Sequence, residues 1–467
     1  MSATSAQPTA PGCAPRAVER HAGGRPERMI RRLSKPACCL ALALLAALAP
    51  GAGAHIPTGA HKAASSLSVG LNIGFNPQAP GPGIGHEIAL AHALHAQIVR
   101  VAVPWYVFAP LGPQQTEPGP QAALSELLED AQSRGIRVIL TVDGTPCWAS
   151  SAPPSLLRTC SPRRGGAAHA WPPQDPASYA AFVASLAQRY RGTSLAAIEI
   201  WNEPDQSNQA YFAGPEKVQR YAAILRAAYP AIKRADSAVL VLGGSLVGPK
   251  GLFLKALYAA GIKGYYDALA VHFYTLTLAS LRAIHEVQLA NGDTTPLWLD
   301  EFGWSSCYPR QRIEEEQACV TPSTQAANLA DTIHAIARLP YVSAAVVYKL
   351  QDSPGEQFGV LTAGGARKPS FAALARAFAA PLAPLQPVTV RLRRAGRRVV
   401  ASGSGPVGEY MELEAFDGAL LRYRAIFVLD RFNRFAIQLP SVLGSRNLSV
   451  KVYQYGIGPA YAASAGI

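Results

Sequence analysis

Eight short apolar runs punctuate the chain between residues 68 and 350, and stretches with helical periodicity separate them. The runs are SVGLNIGF (68–75), QIVRVAV (97–103), RVILTV (137–142), AAIEIW (196–201), AVLVLGG (238–244), DALAVHF (267–273), PLWLDEF (296–302) and SAAVVYKL (343–350). Their hydrophobicity is nearly continuous, which suits parallel strands buried on both faces. Between them Tyr179, Phe182, Val183, Leu186 and Tyr190 recur at steps of three and four, as do Val218, Tyr221, Ala222, Leu225 and Ile232. Each set therefore gathers on one helix face. Leu124, Leu127, Leu128 and Ala131 repeat the pattern, and Gly135 stops that helix. Eight strand–helix units predict an α/β fold, a (β/α)8 TIM barrel. A doubly wound open sheet is the rival, but no glycine-rich phosphate loop follows the first run.

At 467 residues the chain is longer than such a barrel needs. The helical stretch SFAALARAFAA (370–380) is expected to end a barrel domain over 55–380, followed by the proline-spaced linker PLAPLQP (381–387). Beyond it VTVRLRR, RVVASGS, YMELEAF, RYRAIFVL, RFAIQL and LSVKVYQY alternate in the manner of strands. A small antiparallel β-sandwich over 388–467 is the expectation. Residues 1–54 read as an N-terminal extension and signal peptide, with Met29 a candidate start. Arg31, Arg32 and Lys35 form the basic region, Cys38 to Leu48 the apolar one, and Ala52-Gly53-Ala54 the small residues before cleavage at Ala54/His55. The arginine pair hints at twin-arginine export, and an uncleaved membrane anchor over residues 37–49 is the alternative. An exported, periplasmic or extracellular protein follows.

The net charge of +13 is unevenly spread. Residues 1–54 hold seven Lys/Arg and two Asp/Glu, and residues 385–467 hold eleven against five. The basic character belongs to the C-terminal module, so an acidic polysaccharide or a cell surface is a more natural partner than nucleic acid. Of seven cysteines, Cys147, Cys160, Cys307 and Cys319 follow the leader and allow three pairings. The local pairing, Cys147–Cys160 and Cys307–Cys319, closes two short loops after expected strands. A zinc site is the rival, without CxxC spacing or clustered histidines to support it. Disulfides in an oxidising compartment are expected.

Two glutamates stand where a barrel gathers its chemistry. Glu203 directly follows AAIEIW, and Glu301 ends PLWLDEF. Strand ends converge on one face of a barrel, so carboxyls distant in sequence can meet there. A retaining glycosidase needs two of them roughly 5–5.5 Å apart, one protonated and one ionised. An acidic loop is the bland alternative for Glu203, but Trp201 and Asn202 set a stacking platform and an amide beside it. Asp300 competes with Glu301 as nucleophile. Neighbouring strand residues face opposite ways, so Asp300 is expected to turn away and pair toward the helices.

Asn202-Glu203-Pro204 after a fourth strand, with Glu301-Phe302-Gly303 ending a seventh, resembles the large clan of retaining (β/α)8 glycoside hydrolases. WNEPD, DEFGWSS and VHFYT are most similar to glycoside hydrolase family 39 and its bacterial relatives, including an exopolysaccharide-associated hydrolase with a C-terminal β-module. The resemblance covers roughly residues 68–380. It implies a retaining β-glycosidase acting on a bacterial exopolysaccharide or another polysaccharide, with no cofactor and no metal. In it Glu203 is the acid/base and Glu301 the nucleophile. The alternative is a catalytically minor glycan-binding or assembly protein of a polysaccharide export system.

The resemblance also implies that His272 or Tyr274 hydrogen-bonds the nucleophile, that Arg100 neutralises its charge, and that Asn202 binds the sugar 2-hydroxyl. An arginine inside an apolar strand needs a buried carboxylate partner in any case. Among Trp105, Trp148, Trp171 and Trp304, Trp148 and Trp304 are expected as sugar platforms because each lies near a cysteine loop. The chain departs from the clan at Tyr348-Lys349, where many members carry a tryptophan, and Lys349 can meet an acidic sugar or snorkel at a rim. Sugar identity, endo or exo action and oligomeric state are left open.

Overall fold

A computed structural model describes residues 67–77, 83–274, 277–309, 319–384, 387–396, 398–406, 410–440, 443, 447–454 and 463–466. The expected leader over 1–54, with its alternative anchor, lies outside the described residues. No helix among the described residues is long and apolar enough to cross a membrane.

Eight parallel strands close into a barrel in chain order: β1 (Ser68–Asn72), β2 (Ile98–Pro104), β3 (Arg137–Asp143), β4 (Leu195–Ile200), β5 (Leu240–Leu246), β6 (Ala268–His272), β7 (Leu297–Phe302) and β8 (Val342–Val347). β8 returns to β1 with Ala345 beside Val69, so the sheet has no edge. Each apolar run of the sequence supplies one strand. They are apolar on both faces because one face fills the lumen and the other meets the helices. In the lumen Ile98, Ile139, Ala197, Leu242, Ala268, Ala270, Trp298, Ala344 and Val346 form their own buried cluster. Outside, Val99, Val101, Leu140, Ile198 and Leu299 join a larger shell with the helices.

The helices begin and stop where local chemistry dictates. Pro176 opens Pro176–Arg189, and the Asp175 carboxylate accepts from the Ala177 amide at 2.9 Å, which meets an otherwise unpaired helix donor. Tyr179, Phe182, Val183 and Leu186 are its buried face. Thr321 caps Pro322–Ile336 in the same way. Gly135, at φ +67°, ends Pro118–Ser133 by letting the chain turn left-handed.

Regular alternation fails at the C-terminal end of the barrel. The β5–β6 register shifts between Gly243 and Leu246, with Ser245 at φ +52°. Between β6 and β7, Val271 pairs with Leu299 but His272 pairs with Glu301, so β7 carries one extra residue, Asp300. Such bulges re-aim side chains at barrel rims.

After the last barrel helix, Pro369–Ala379, the remaining strands are β9 (Thr389–Ala395), β10 (Arg398–Ser404), β11 (Tyr410–Asp417), β12 (Leu420–Val428), β13 (Arg434–Gln438), β14 (Leu448–Gln454) and β15 (Ala463–Gly466). They form two antiparallel sheets, ordered β13-β10-β9 and β12-β11-β14-β15, around Val399, Met411, Leu413, Phe435, Val450 and Val452. The sandwich touches the barrel through Asn433, whose amide donates to Asn328 at 2.6 Å, and through Phe432 against Tyr308.

Candidate active site

Arg100 stands at the centre of the upper lumen. It projects inward from β2, one turn of the pleat above Ile98, and is 5% exposed. Its Nε donates to Glu199 Oε2 at 2.7 Å and its Nη1 to Glu301 Oε1 at 2.6 Å. Nη1 also donates to Asn72 Oδ1, and Nη2 to Asn202 Oδ1, both at 2.9 Å. The five donors of one guanidinium thus tie together residues from β1, β2, β7 and both ends of the β4 rim. The buried carboxylate partner that the arginine required is a pair, Glu199 and Glu301.

Glu199 is fully buried and accepts from the Thr141 and Ser245 hydroxyls as well. Burial alone would raise its pKa, but the Arg100 charge, a hydrogen bond with Asp300 and the neighbouring His272 hold it down at about 2. Ser245 reaches it because the β5 bulge turns the hydroxyl inward.

The Asn-Glu-Pro segment leaves β4 on alternating left-handed residues: Trp201 lies at φ +73° and Glu203 at φ +45°. Conformations of this kind cost about 1–3 kcal/mol each for non-glycine residues and gather at functional sites. They swing Asn202 and Glu203 over the barrel mouth while Trp201 turns outward. Trp201 is fully buried in the helix-facing shell and donates from its indole to the Tyr211 carbonyl at 2.8 Å. It is not a sugar platform, contrary to the expectation from its position.

Glu203 and Glu301 meet as expected. One oxygen of each carboxyl and a His272 nitrogen all lie within 4.8 Å of one another. Their surroundings differ. Glu301 receives Arg100 on Oε1 and the Tyr274 hydroxyl on Oε2 at 2.7 Å. Glu203 Oε1 lies 2.9 Å from His272 Nδ1, and its Oε2 accepts from the Gln206 amide at 2.9 Å. Of the two β6-end residues, Tyr274 therefore serves Glu301, whereas His272 serves Glu203 and stands 3.4 Å from Glu301 Oε2. Those three donors could span a metal, but a guanidinium 2.6 Å from Glu301 already supplies the positive charge there.

Asp300 does not turn toward the helices. The extra residue in β7 breaks the two-residue period, so Asp300 and Glu301 both face the lumen. Asp300 is fully buried, 3.4 Å from Arg100 Nε and 3.5 Å from His272 Nε2. Asn72 stabilises the bulge by donating to the Asp300 carbonyl at 3.0 Å.

A cavity of about 520 Å³ opens beside this cluster, lined by Asn72, Phe75, Asp143, Asn202, Tyr211 and Tyr348 among others, with Glu301 in its wall. A second hollow of about 430 Å³ adjoins it through Asp143 and Tyr211. Burial pushes the Asp143 carboxyl up to about 6 and that of Glu87, also in the cavity lining, up to about 7. The expected tryptophans are not in the lining of either hollow. Trp304 is 6% exposed within the apolar shell, and Trp148 packs edge-on against Trp105 with its indole donating to the Ala109 carbonyl. Tyr211, 41% exposed, and Tyr348 offer the aromatic surface instead. Lys349 lines the cavity but is bonded to Glu356 at 2.6 Å and Ser353 at 2.8 Å. Both expected disulfides are present, Cys147–Cys160 and Cys307–Cys319.

The family model for cellulase, glycosyl hydrolase family 5, matches residues 77–335, more than half the chain. The chain belongs to this glycoside hydrolase family. Two solved structures share the hydrolase's fold. One is a family 39 glycoside hydrolase from the gut symbiont Bacteroides cellulosilyticus WH2, at 16% identity and TM-score 0.53 over 81% of this chain and 80% of that one. The other is the GH39 enzyme from Xanthomonas axonopodis pv. citri, at 13% identity and TM-score 0.51 over 81% and 93%. No curated protein matches the chain. The family 39 resemblance in the motifs is thus met at the level of the barrel, while the sequence match is to family 5.

Proposed function

We propose that this glycoside hydrolase cleaves β-glycosidic bonds of a polysaccharide with retention of configuration, with Glu301 as nucleophile and Glu203 as acid/base. The unequal surroundings of two carboxyls within 4.8 Å carry this reading. Arg100 and Tyr274 give Glu301 two donors, one on each oxygen, which hold the carboxylate in place and aim it. Glu203 meets a ring nitrogen and an amide instead, His272 Nδ1 on one oxygen and Gln206 Nε2 on the other. In the first step Glu203 protonates the glycosidic oxygen as Glu301 attacks the anomeric carbon. In the second, Glu203 takes a proton from the water that releases the sugar. Asn202 spends its carbonyl on Arg100, leaving its amide hydrogens for the sugar 2-hydroxyl.

Two adjoining hollows support a substrate longer than one sugar. The cations in the main cavity, Arg100 and Lys349, are both already paired. That favours a neutral glycan over an acidic one at the reaction centre, and leaves binding of acidic polymers or a cell surface to the basic C-terminal module. The two disulfides support an exported protein. A glycan-library digestion followed by NMR of the first-formed anomer tests the reading, with Glu301→Gln as control. A β-product from a β-linked glycan, lost in the control, is expected; an inverted anomer would overturn the assignment.

A further inference from the structure

Asp300 has no part in the two steps above, yet it occupies the space between their residues. The charges around it are unequal in number. Arg100 faces three carboxyls, those of Glu199, Glu301 and Asp300, at 2.7, 2.6 and 3.4 Å. Glu199 has its oxygens filled by the guanidinium and two hydroxyls, and Glu301 by the guanidinium and Tyr274. Both are surrounded as carboxylates should be. Neither Asp300 oxygen has a hydrogen-bond donor, and His272 Nε2, 3.5 Å from Oδ1, is also without a partner. A buried carboxylate that accepts nothing is far costlier than a buried neutral acid.

We infer that Asp300 carries a proton in the resting enzyme and acts as a positioning residue, leaving the Arg100 charge to Glu199 and Glu301 while holding the His272 ring over Glu203. The inference rests on the roles proposed for Glu203 and Glu301. The surroundings agree with it: burial first, then the Glu199 charge, drives the Asp300 carboxyl well above the usual carboxylate range, with Arg100 opposing. Glu199 is the neighbouring acceptor for that proton: a hydrogen bond between the two carboxyls lowers Glu199 and raises Asp300, and both sit with a His272 nitrogen within 4.8 Å of one another. In this arrangement the bulge gives β7 two inward acids of opposite protonation, a neutral one below and an ionised one at the cavity.

Infrared difference spectroscopy reads this directly. Wild type minus Asp300→Asn should show the C=O stretch of a protonated carboxylic acid, shifted in deuterium oxide. Asparagine mimics the neutral acid, so that variant should lose less kcat than Glu199→Gln and keep the wild-type shape of the kcat–pH profile. Glu199→Gln, which removes an ionised partner, should lower kcat by about a hundredfold or more, as loss of a charged hydrogen bond implies. A difference spectrum without the acid band, or an Asp300→Asn loss as large as that of Glu199→Gln, would overturn the inference. If the band appears but a fluorosugar fails to label Glu301, the reaction assignment falls and the protonation of Asp300 stands.

Discussion

The lower and upper halves of the barrel lumen are built from the same strands, two residues apart, and are chemical opposites. Ile98 gives way to Arg100, Ile139 to Thr141, Ala197 to Glu199, Ala270 to His272 and Trp298 to Asp300. Below, the side chains interlock without a polar group, although the register slips once between β3 and β4, beside Ile139, and once between β7 and β8, beside Trp298. Above, the register slips at β5 and β7, and nearly every side chain answers another's charge. Apolar contact holds the lower half. One guanidinium ties the upper half together.

Removing the guanidinium should have the largest effect. Arg100→Met leaves Glu199 and Glu301 buried without their cation, a loss of about 3–5 kcal/mol, together with most activity. Urea unfolding and kcat should fall together; a stable but inactive variant would show that the cluster is not held by Arg100. Trp298→Ala, in the lower half, should also cost about 3–5 kcal/mol by leaving a cavity. Here kcat at a temperature where the protein stays folded should change little. A large loss of kcat would mean that the two halves are mechanically coupled.

Tyr274→Phe removes one donor from Glu301 and leaves the ring in place among its aromatic neighbours. A hydrogen bond to a charged group is worth about 1.5–3 kcal/mol, so kcat should fall roughly ten- to hundredfold with the urea midpoint nearly unchanged. The smallest effect is expected at Glu87 in the cavity lining. Burial raises the Glu87 carboxyl from 4.5 to about 7. The folded protein therefore binds this proton more tightly than the unfolded chain, and its stabilising contribution is lost as pH rises from about 4.5 through about 7. Glu87→Gln should flatten the stability profile in that window; an unchanged slope would place the carboxyl in water.

The contrast also separates what the sequence could reveal from what it could not. Strands buried on both faces read as continuous apolar runs, so all eight and their closure were legible, as were the strand-end glutamates. Arg100 within QIVRVAV demanded a carboxylate, and Glu199 within AAIEIW carried the same signal, an ion in an apolar run. The slips were not legible. A strict period of two assigns Asp300 to the outer face, and one extra residue in β7 reverses that. Likewise two left-handed residues turn Trp201 into the shell. Tyr211 came to the cavity by a loop path that no periodicity encodes, whereas Tyr348 stands at the end of the eighth apolar run. β15, with the sequence ASAG, lacks the bulky alternation that marks a strand.

The central claim is a covalent glycosyl–enzyme intermediate on the upper residue of the β7 bulge. Incubation with a 2-deoxy-2-fluoro glycoside of a cleaved sugar, then peptide mapping by mass spectrometry, tests it most directly. The label should lie on Glu301, at one per chain, and disappear in Glu301→Gln. Label on Asp300 or Glu203, or turnover of the natural glycan without any trapped adduct and with inversion, would contradict the account.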